Sequence, residues 1–307
     1  MLIDNSRANS FKECPWKYFE QYERYGFGIE KVNDKEGYSS LEFGDRVHQL
    51  LEEWYKGKVI YPNHSNEILE TEAQLMIEAY KAKYPVEEFE LVDCERTIKV
   101  ELPSYCRTCF NLWGDFSRFG ANGGIECEFC YDDAGSTNHI FIGKIDIVYR
   151  DPVSGGLFIM DHKTEKRGAK SNLPQKWAEK DQASLYLWAA EKIYGEKPLN
   201  FVVNVLTRQS EKGQIGPTFP ERQKLERSQG QIDHAVRDLV YWAEKIEECK
   251  RTFGENPWPA NREKCYEWGP CEFSLIHGYG DNVEQLVELK YEVRKPYLNL
   301  EGVEVVK

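Results

Sequence analysis

The sequence has 307 residues, 41% of them hydrophobic and 13% aromatic, enough to bury a substantial core in one large domain or two small ones. Its formal net charge of -12 excludes nucleic-acid binding through bulk positive charge, leaving that task to local Lys and Arg clusters or to metals over acidic sites. There is no apolar run of membrane-spanning length and no signal-peptide apolar stretch, so the nine cysteines are expected as reduced thiols or metal ligands in a cytoplasmic setting, away from any membrane.

Residues 6 to 25 read as two short helical pieces broken at Pro15. Trp16, Tyr18, Phe19 and Tyr22 give this segment an aromatic face, and Cys14 is either a small buried residue or a metal ligand. Residues 26 to 38, Gly-rich and charged, read as a loop. A helix starts near Ser39 or Ser40 and runs to Trp54-Tyr55, with Gly44 and His48 four apart on one face, where the glycine lets another backbone approach the imidazole. A second helix, Glu67 to Tyr84, carries Leu69, Ala73, Met76, Ile77 and Tyr80 as one buried stripe. Beyond it a strand is expected at Arg96 to Val100 and a helix from about Pro103, and residues 49 to 120 are taken together as a mainly helical insertion. Two Cys-x-x-Cys pairs follow, Cys106/Cys109 and Cys127/Cys130. The second lies in an alternating stretch, where positions three apart face opposite sides of a strand, which favours packed thiols over a four-cysteine zinc site.

Residues 140 to 164 read as a β-hairpin, with Asp151-Pro152 and Gly155-Gly156 supplying the turn between two arms rich in Ile, Val, Phe and Tyr. A turn centred between Val153 and Ser154 sets residue i opposite residue 307 minus i, so Asp146 faces Asp161. Two carboxylates about 5 Å apart repel unless a proton or cation lies between them, and a hard divalent ion is the usual solution. Lys163, two residues past Asp161, shares its face.

Lys163, Lys166, Arg167 and Lys170 form a cationic run, read as a solvated loop or as a contact for DNA phosphates. A helix is expected from about Pro174 to Tyr194, on which Gln182 and Tyr186 are spaced to look together towards the hairpin. Phe201 to Thr207 reads as a core strand, and residues 222 to 250 as a long amphipathic helix. Asn256-Pro-Trp-Pro, Cys265, Cys271 and His277 then form a cysteine-bearing cap, followed by a short helix and a charged strand or tail. The pattern is α/β, a mixed central sheet flanked by helices.

The motifs Gly143-x-x-Asp146 and Asp161-x-Lys163, with Phe43-Gly44-x-x-x-His48 before them and Gln182-x-x-x-Tyr186 after, resemble the PD-(D/E)XK nuclease superfamily and its RecB-like exonuclease branch, which includes CRISPR-associated and phage-encoded members. The resemblance implies a restriction-endonuclease-like core over 1–307 as a single nuclease domain, with the catalytic core at 121–250 and the cap at 251–280 packing on the N-terminal segment. It implies Mg²⁺ or Mn²⁺ held by Asp146 and Asp161, helped by His48 and by Glu126 on the strand before the hairpin, with Glu128 an alternative to Glu126. Lys163 would orient or activate the attacking water, and Gln182 and Tyr186 would fix the substrate strand. The same branch includes members with a 4Fe-4S cluster held by one N-terminal and three C-terminal cysteines. Cys14, Cys265 and Cys271 match that arrangement, whereas His277 stands where the last cysteine would be, so a cluster, a Zn²⁺ site and free thiols all stay open.

The function implied is metal-dependent hydrolysis of DNA phosphodiester bonds, as an exonuclease in recombination, repair or phage DNA processing. Its substrate would be single-stranded or end-containing duplex DNA, and a recombination or replication protein would be its partner. A catalytically silent nucleic-acid-binding subunit and a sequence-specific endonuclease on the same core are the alternatives. Intact Asp146, Asp161 and Lys163 count against the first, and the lack of a separate recognition motif counts against the second.

Overall fold

The computed structural model describes residues 1–32, 37–103, 139–165, 179–208, 216–267, 269–278, 283–295 and 298–307. The elements are β1 (Leu2–Ile3), α1 (Asn5–Glu13), α2 (Pro15–Tyr22), β2 (Ile29–Lys31), α3 (Ser40–Lys56), α4 (Glu67–Lys83), β3 (Glu90–Glu101), β4 (Ile140–Arg150) and β5 (Leu157–Glu165). There follow α5 (Asp181–Tyr194), β6 (Asn200–Thr207), β7 (Gln223–Leu225), α6 (Gln229–Phe253), α7 (Ser274–Gly278), α8 (Val283–Lys290), β8 (Tyr291–Val293) and β9 (Val305–Val306). The chain divides into two compact units: a terminal unit of Met1–Asp34, Lys99–Ile142 and His234–Lys307, and a hairpin unit of Lys35–Ile98 and Gly143–Asp233.

In the hairpin unit the strand order is β7-β6-β5-β4-β3. Strands β4 and β5 pair antiparallel with Arg150 opposite Leu157 and Ile147 opposite Met160, the register that a turn between Val153 and Ser154 requires. The turn residues fix it. The backbone N–H and Oγ of Ser154 both donate to Asp151 Oδ2, at 2.9 and 2.7 Å, and Gly155 takes the left-handed φ of +68° that a side chain would oppose. Strand β5 pairs parallel with β6 from Phe158↔Asn200 to Glu165↔Thr207, and β6 pairs antiparallel with β7, so the sheet is mixed. Leu157 to His162 are buried without a break, the pattern of a central strand covered on both faces. Helices α3 and α4 pack through Phe43, Val47, Leu51, Met76 and Tyr80 in a cluster that also holds Leu206 of β6.

The terminal unit holds the start of β4, where β1 pairs parallel through Leu2↔Ile140, and the end of β3, where β9 pairs parallel through Lys99↔Val305. Trp258 is its aromatic hub, with the rings of Phe11, Tyr18 and Phe19 at 6.3, 5.9 and 5.5 Å. A smaller cluster of Ile29, Phe273, Ile276, Val287 and Tyr291 sits beside the two-stranded sheet of β2 and β8.

Three segments differ from their sequence reading. The stretch taken as a mainly helical insertion is helical only to Lys83 in its described part, and β3 then joins the central sheet as a twelve-residue strand. Alternating Leu91, Asp93, Cys94, Ile98 and Val100 slip phase along this strand, which hides it from a strict period-two reading. The long helix begins at Gln229 rather than 222, because Gln223–Leu225 are drawn into the sheet edge against β6. The Gly-rich loop of residues 26–38 contains β2, which borrows its pairing from a segment more than 250 residues away. Among the described residues no helix is long and apolar enough to cross a membrane.

Candidate metal centre

Helix α3 brings the first donor. Ser39 caps it with a reciprocal box, Ser39 Oγ accepting from the Glu42 N–H at 3.1 Å while Glu42 accepts the Ser39 N–H at 2.6 Å. The stripe of Phe43, Val47, Leu50 and Leu51 turns one face of the helix inward. At Gly44 a Cβ would stand 3.1 Å from Thr164 Oγ1 of β5, so the glycine permits the helix to approach the strand one residue beyond Lys163. One turn later His48 points its Nδ1 at two carboxylates, 3.0 Å from Glu95 Oε1 and 3.6 Å from Asp146 Oδ2.

Glu95 reaches this place through an unusual backbone. It takes φ +52° in the middle of β3, a left-handed conformation that a residue with a Cβ adopts at a cost. Its side chain is almost fully buried and is held by His48 and by Lys144 of β4. Asp146, also buried, accepts the backbone N–H of His162 at 2.7 Å. One donor atom each from His48, Glu95 and Asp146 lies within 4.8 Å of the others, the one such trio among the described residues.

Next to the trio, Lys163 Nζ stands 2.6 Å from Asp161 Oδ2, and Gln182 Nε2 of α5 donates to Asp161 Oδ1 at 3.3 Å. Burial raises Asp146 to about 7, with the charges of Asp161 and Glu95 adding to the rise against the pull of His48. Burial pulls the His48 imidazole down, but Asp146 and Glu95 overcome it and raise it to about 9. Burial likewise opposes ionisation of Glu95, and its contacts to His48 and Lys144 win and lower it. Three acids, Glu95, Asp146 and Asp161, thus share this space with the Lys144 and Lys163 ammonium groups and with a His48 held towards its protonated form. His48, Glu95 and Asp146 together offer one imidazole nitrogen and two carboxylates, a donor set that could hold a metal ion.

A family model described as the PD-(D/E)XK nuclease superfamily matches residues 5–276. The chain belongs to the PD-(D/E)XK nuclease superfamily. Among solved structures it is similar to a protein of Eubacterium rectale provisionally named an exonuclease, at 13% identity and a TM-score of 0.48 over 98% of this chain and 94% of that one. It is also similar to SSO0001, at 12% identity and a TM-score of 0.32 over 76% of this chain and 83% of that one. No curated protein matches the sequence.

In this nuclease-family chain the hairpin unit brings His48, Asp146, Asp161, Lys163 and Gln182 together. Tyr186 lies one turn beyond Gln182 on α5, its ring centroid 6.4 Å from that of Phe201. Glu126, its alternative Glu128, the four cysteines at 106, 109, 127 and 130, and the cations at 166, 167 and 170 lie outside the described residues. Glu95 and Lys144 were not singled out by sequence reasoning. A break in hydrophobic phase marks this stretch of β3 in the sequence: Phe89 and Leu91 are odd-numbered, yet the next β3 residue in the same cluster is Cys94, next to Glu95.

In the terminal unit, Cys14 is buried between α1 and α2, and its Sγ accepts the Asn261 N–H at 3.3 Å. The Cys271 N–H donates to the Cys265 carbonyl at 2.7 Å. His277 stacks on Trp16 with centroids 3.8 Å apart and planes at 28°, and burial, followed by the charges of Arg262 and Arg24, lowers it to about 4. These four residues share a neighbourhood in which the chain ends meet, Trp16 N–H donating to the Pro259 carbonyl at 3.1 Å. No three of them come within ligand distance of one another.

Proposed function

We propose that this nuclease hydrolyses DNA phosphodiester bonds with a divalent metal ion and acts from strand ends. The observation that carries the reading is the trio of His48, Glu95 and the buried Asp146 beside the Asp161–Lys163 pair. Asp146, Glu95 and His48 would hold Mg²⁺ or Mn²⁺, with Asp161 completing the acidic wall. The ion, when bound, lowers the pKa of a water and stabilises negative charge on the phosphoryl oxygens. Lys163, a partly exposed ammonium beside Asp161, would orient the attacking water and offset charge developing on the scissile phosphate. Gln182, donating to Asp161 from α5, keeps that carboxylate turned towards the site, and Tyr186 lies one turn further on to contact the substrate strand.

Action from ends is supported by the likeness of Gln182-x-x-x-Tyr186 to the RecB-like branch, and recombination, repair or phage DNA processing is the setting that likeness suggests. A cluster or zinc ion on Cys14, Cys265, Cys271 and His277 has no part in this chemistry, and iron and zinc analysis of anaerobically purified protein tests it separately. The activity is tested on end-labelled linear DNA, single- and double-stranded, against closed circles, with Mg²⁺ or Mn²⁺. Cleavage confined to linear DNA and abolished by EDTA is expected. Cutting of circles would replace the exonuclease by an endonuclease, and DNA binding without cleavage under either metal would leave a silent binding subunit.

A further inference from the structure

Strand β5 carries Asp161 and Lys163 towards the metal centre, and the residue between them is a histidine. Alternation along a strand sends the His162 side chain to the opposite face of the sheet. There it is 1% exposed, between the rings of Tyr55 at 6.0 Å and Tyr80 at 6.2 Å, with the His48 ring 6.1 Å away. Directly across the parallel ladder stands Asn204, 0% exposed, whose Nδ2 lies 2.8 Å from His162 Nδ1 and 2.9 Å from the Tyr80 hydroxyl. The chain of contacts continues outward: Tyr80 Oη lies 3.2 Å from Tyr55 Oη, and Tyr55 donates to Glu87 at 2.9 Å. Arg222 closes it, donating to the Tyr80 hydroxyl at 2.7 Å and to Glu87 Oε1 at 2.6 Å.

This network is costly where it is deepest. His162 Nε2 and Asn204 Oδ1 are buried with no hydrogen-bond partner among the described residues. An apolar pair of similar size would be cheaper at two facing positions in a sheet core. What His162 does with its backbone gives the cost a reason. Its N–H donates to Asp146 Oδ2 at 2.7 Å, just past the last regular pair of the hairpin, Ile147↔Met160. A shift of β5 at this residue therefore turns the Asp146 carboxylate as well as Asp161 and Lys163.

We infer that His162, anchored by Asn204 and the Tyr80–Tyr55–Glu87–Arg222 network, is a positioning residue that fixes β5 so that its amide orients Asp146 while its neighbours Asp161 and Lys163 face the metal. The inference rests on the nuclease reading above. Hydrogen-bonded partners behind metal ligands commonly change metal affinity or activity about 10- to 100-fold when removed.

The test uses His162→Phe and Asn204→Val, alone and together; all keep the backbone N–H groups, and the double variant replaces the polar pair by apolar volume. Mn²⁺ affinity by electron paramagnetic resonance, kcat and KM on linear DNA, and thermal midpoint are measured for all of them beside wild type and Asp161→Ala. The expected result is a kcat about 10- to 100-fold lower, KM within about twofold and Mn²⁺ binding about tenfold weaker, with a midpoint equal to or above wild type in the double variant. Unchanged kcat and Mn²⁺ affinity in all of these variants would overturn the inference, as would losses that follow a lowered midpoint and vanish on cooling. Failure of wild type itself to cleave would reject the nuclease reading, and Mn²⁺ affinity in the variants would still decide the role of the network.

Discussion

Replacing Glu70 by Gln tests how α3, the helix that carries His48, is held in place. Arg46, two residues before His48, makes a two-pronged contact to Glu70 of α4, Nε to Oε2 at 2.7 Å and Nη2 to Oε1 at 2.8 Å. Both residues are buried, Arg46 at 2% exposure and Glu70 at 7%, and Glu70 also accepts from the His64 N–H and from Gln74. The guanidinium hydrogen bond, more than offsetting burial, lowers Glu70 from 4.5 to about 2. At roughly 1.4 kcal/mol per pH unit, that gap is worth about 3 kcal/mol. Removing one partner of a buried pair costs a similar amount, about 3–5 kcal/mol. Because the folded value is depressed, the stabilisation is fully present above about pH 4.5 and is lost as the pH falls towards about 2. Urea unfolding of wild type and Glu70→Gln at a series of pH values should therefore show a difference of about 3 kcal/mol at neutral pH that narrows below about pH 4.5. A difference under about 1 kcal/mol, or one that does not change with pH, would refute the reasoning.

Lys163→Ala and Asp161→Ala should each lower kcat by at least about 100-fold with an unchanged circular-dichroism spectrum, measured on end-labelled DNA. Glu95→Gln should weaken Mn²⁺ binding at least about tenfold by calorimetry. Since Glu95 sits at φ +52°, Glu95→Gly should melt above Glu95→Ala by an amount worth about 1 kcal/mol while being equally inactive. Gly44→Ala should reduce activity and stability modestly, and Thr164→Ala, which removes the oxygen 3.1 Å from the new Cβ, should restore both in the double variant.

The hairpin was legible in the sequence because its information is local. Asp151, Ser154 and Gly155 specify the turn, the turn specifies the register, and the register sets Asp146 near Asp161. Helix α3 was legible for the same reason, Gly44 and His48 lying four apart on one face within a single segment. Glu95 was not, because its place depends on a left-handed residue inside a strand, and period-two reasoning assumes that no such residue is present. The polar network under β5 was hidden too: His162 and Asn204 meet only through the β5–β6 ladder, a pairing between strands separated by a helix. Family membership followed from motifs whose order along the chain could be read without knowing their distances in space, whereas the strand that supplies a glutamate to them could not.

Where a metal ion binds decides the assignment of this site most directly. Crystals grown with Mn²⁺ and measured for anomalous scattering should show a peak about 2 Å from carboxylate oxygens of Glu95 and Asp146, with His48 Nδ1 as a further ligand. A peak elsewhere in the hairpin unit, or none at saturating Mn²⁺, would contradict it.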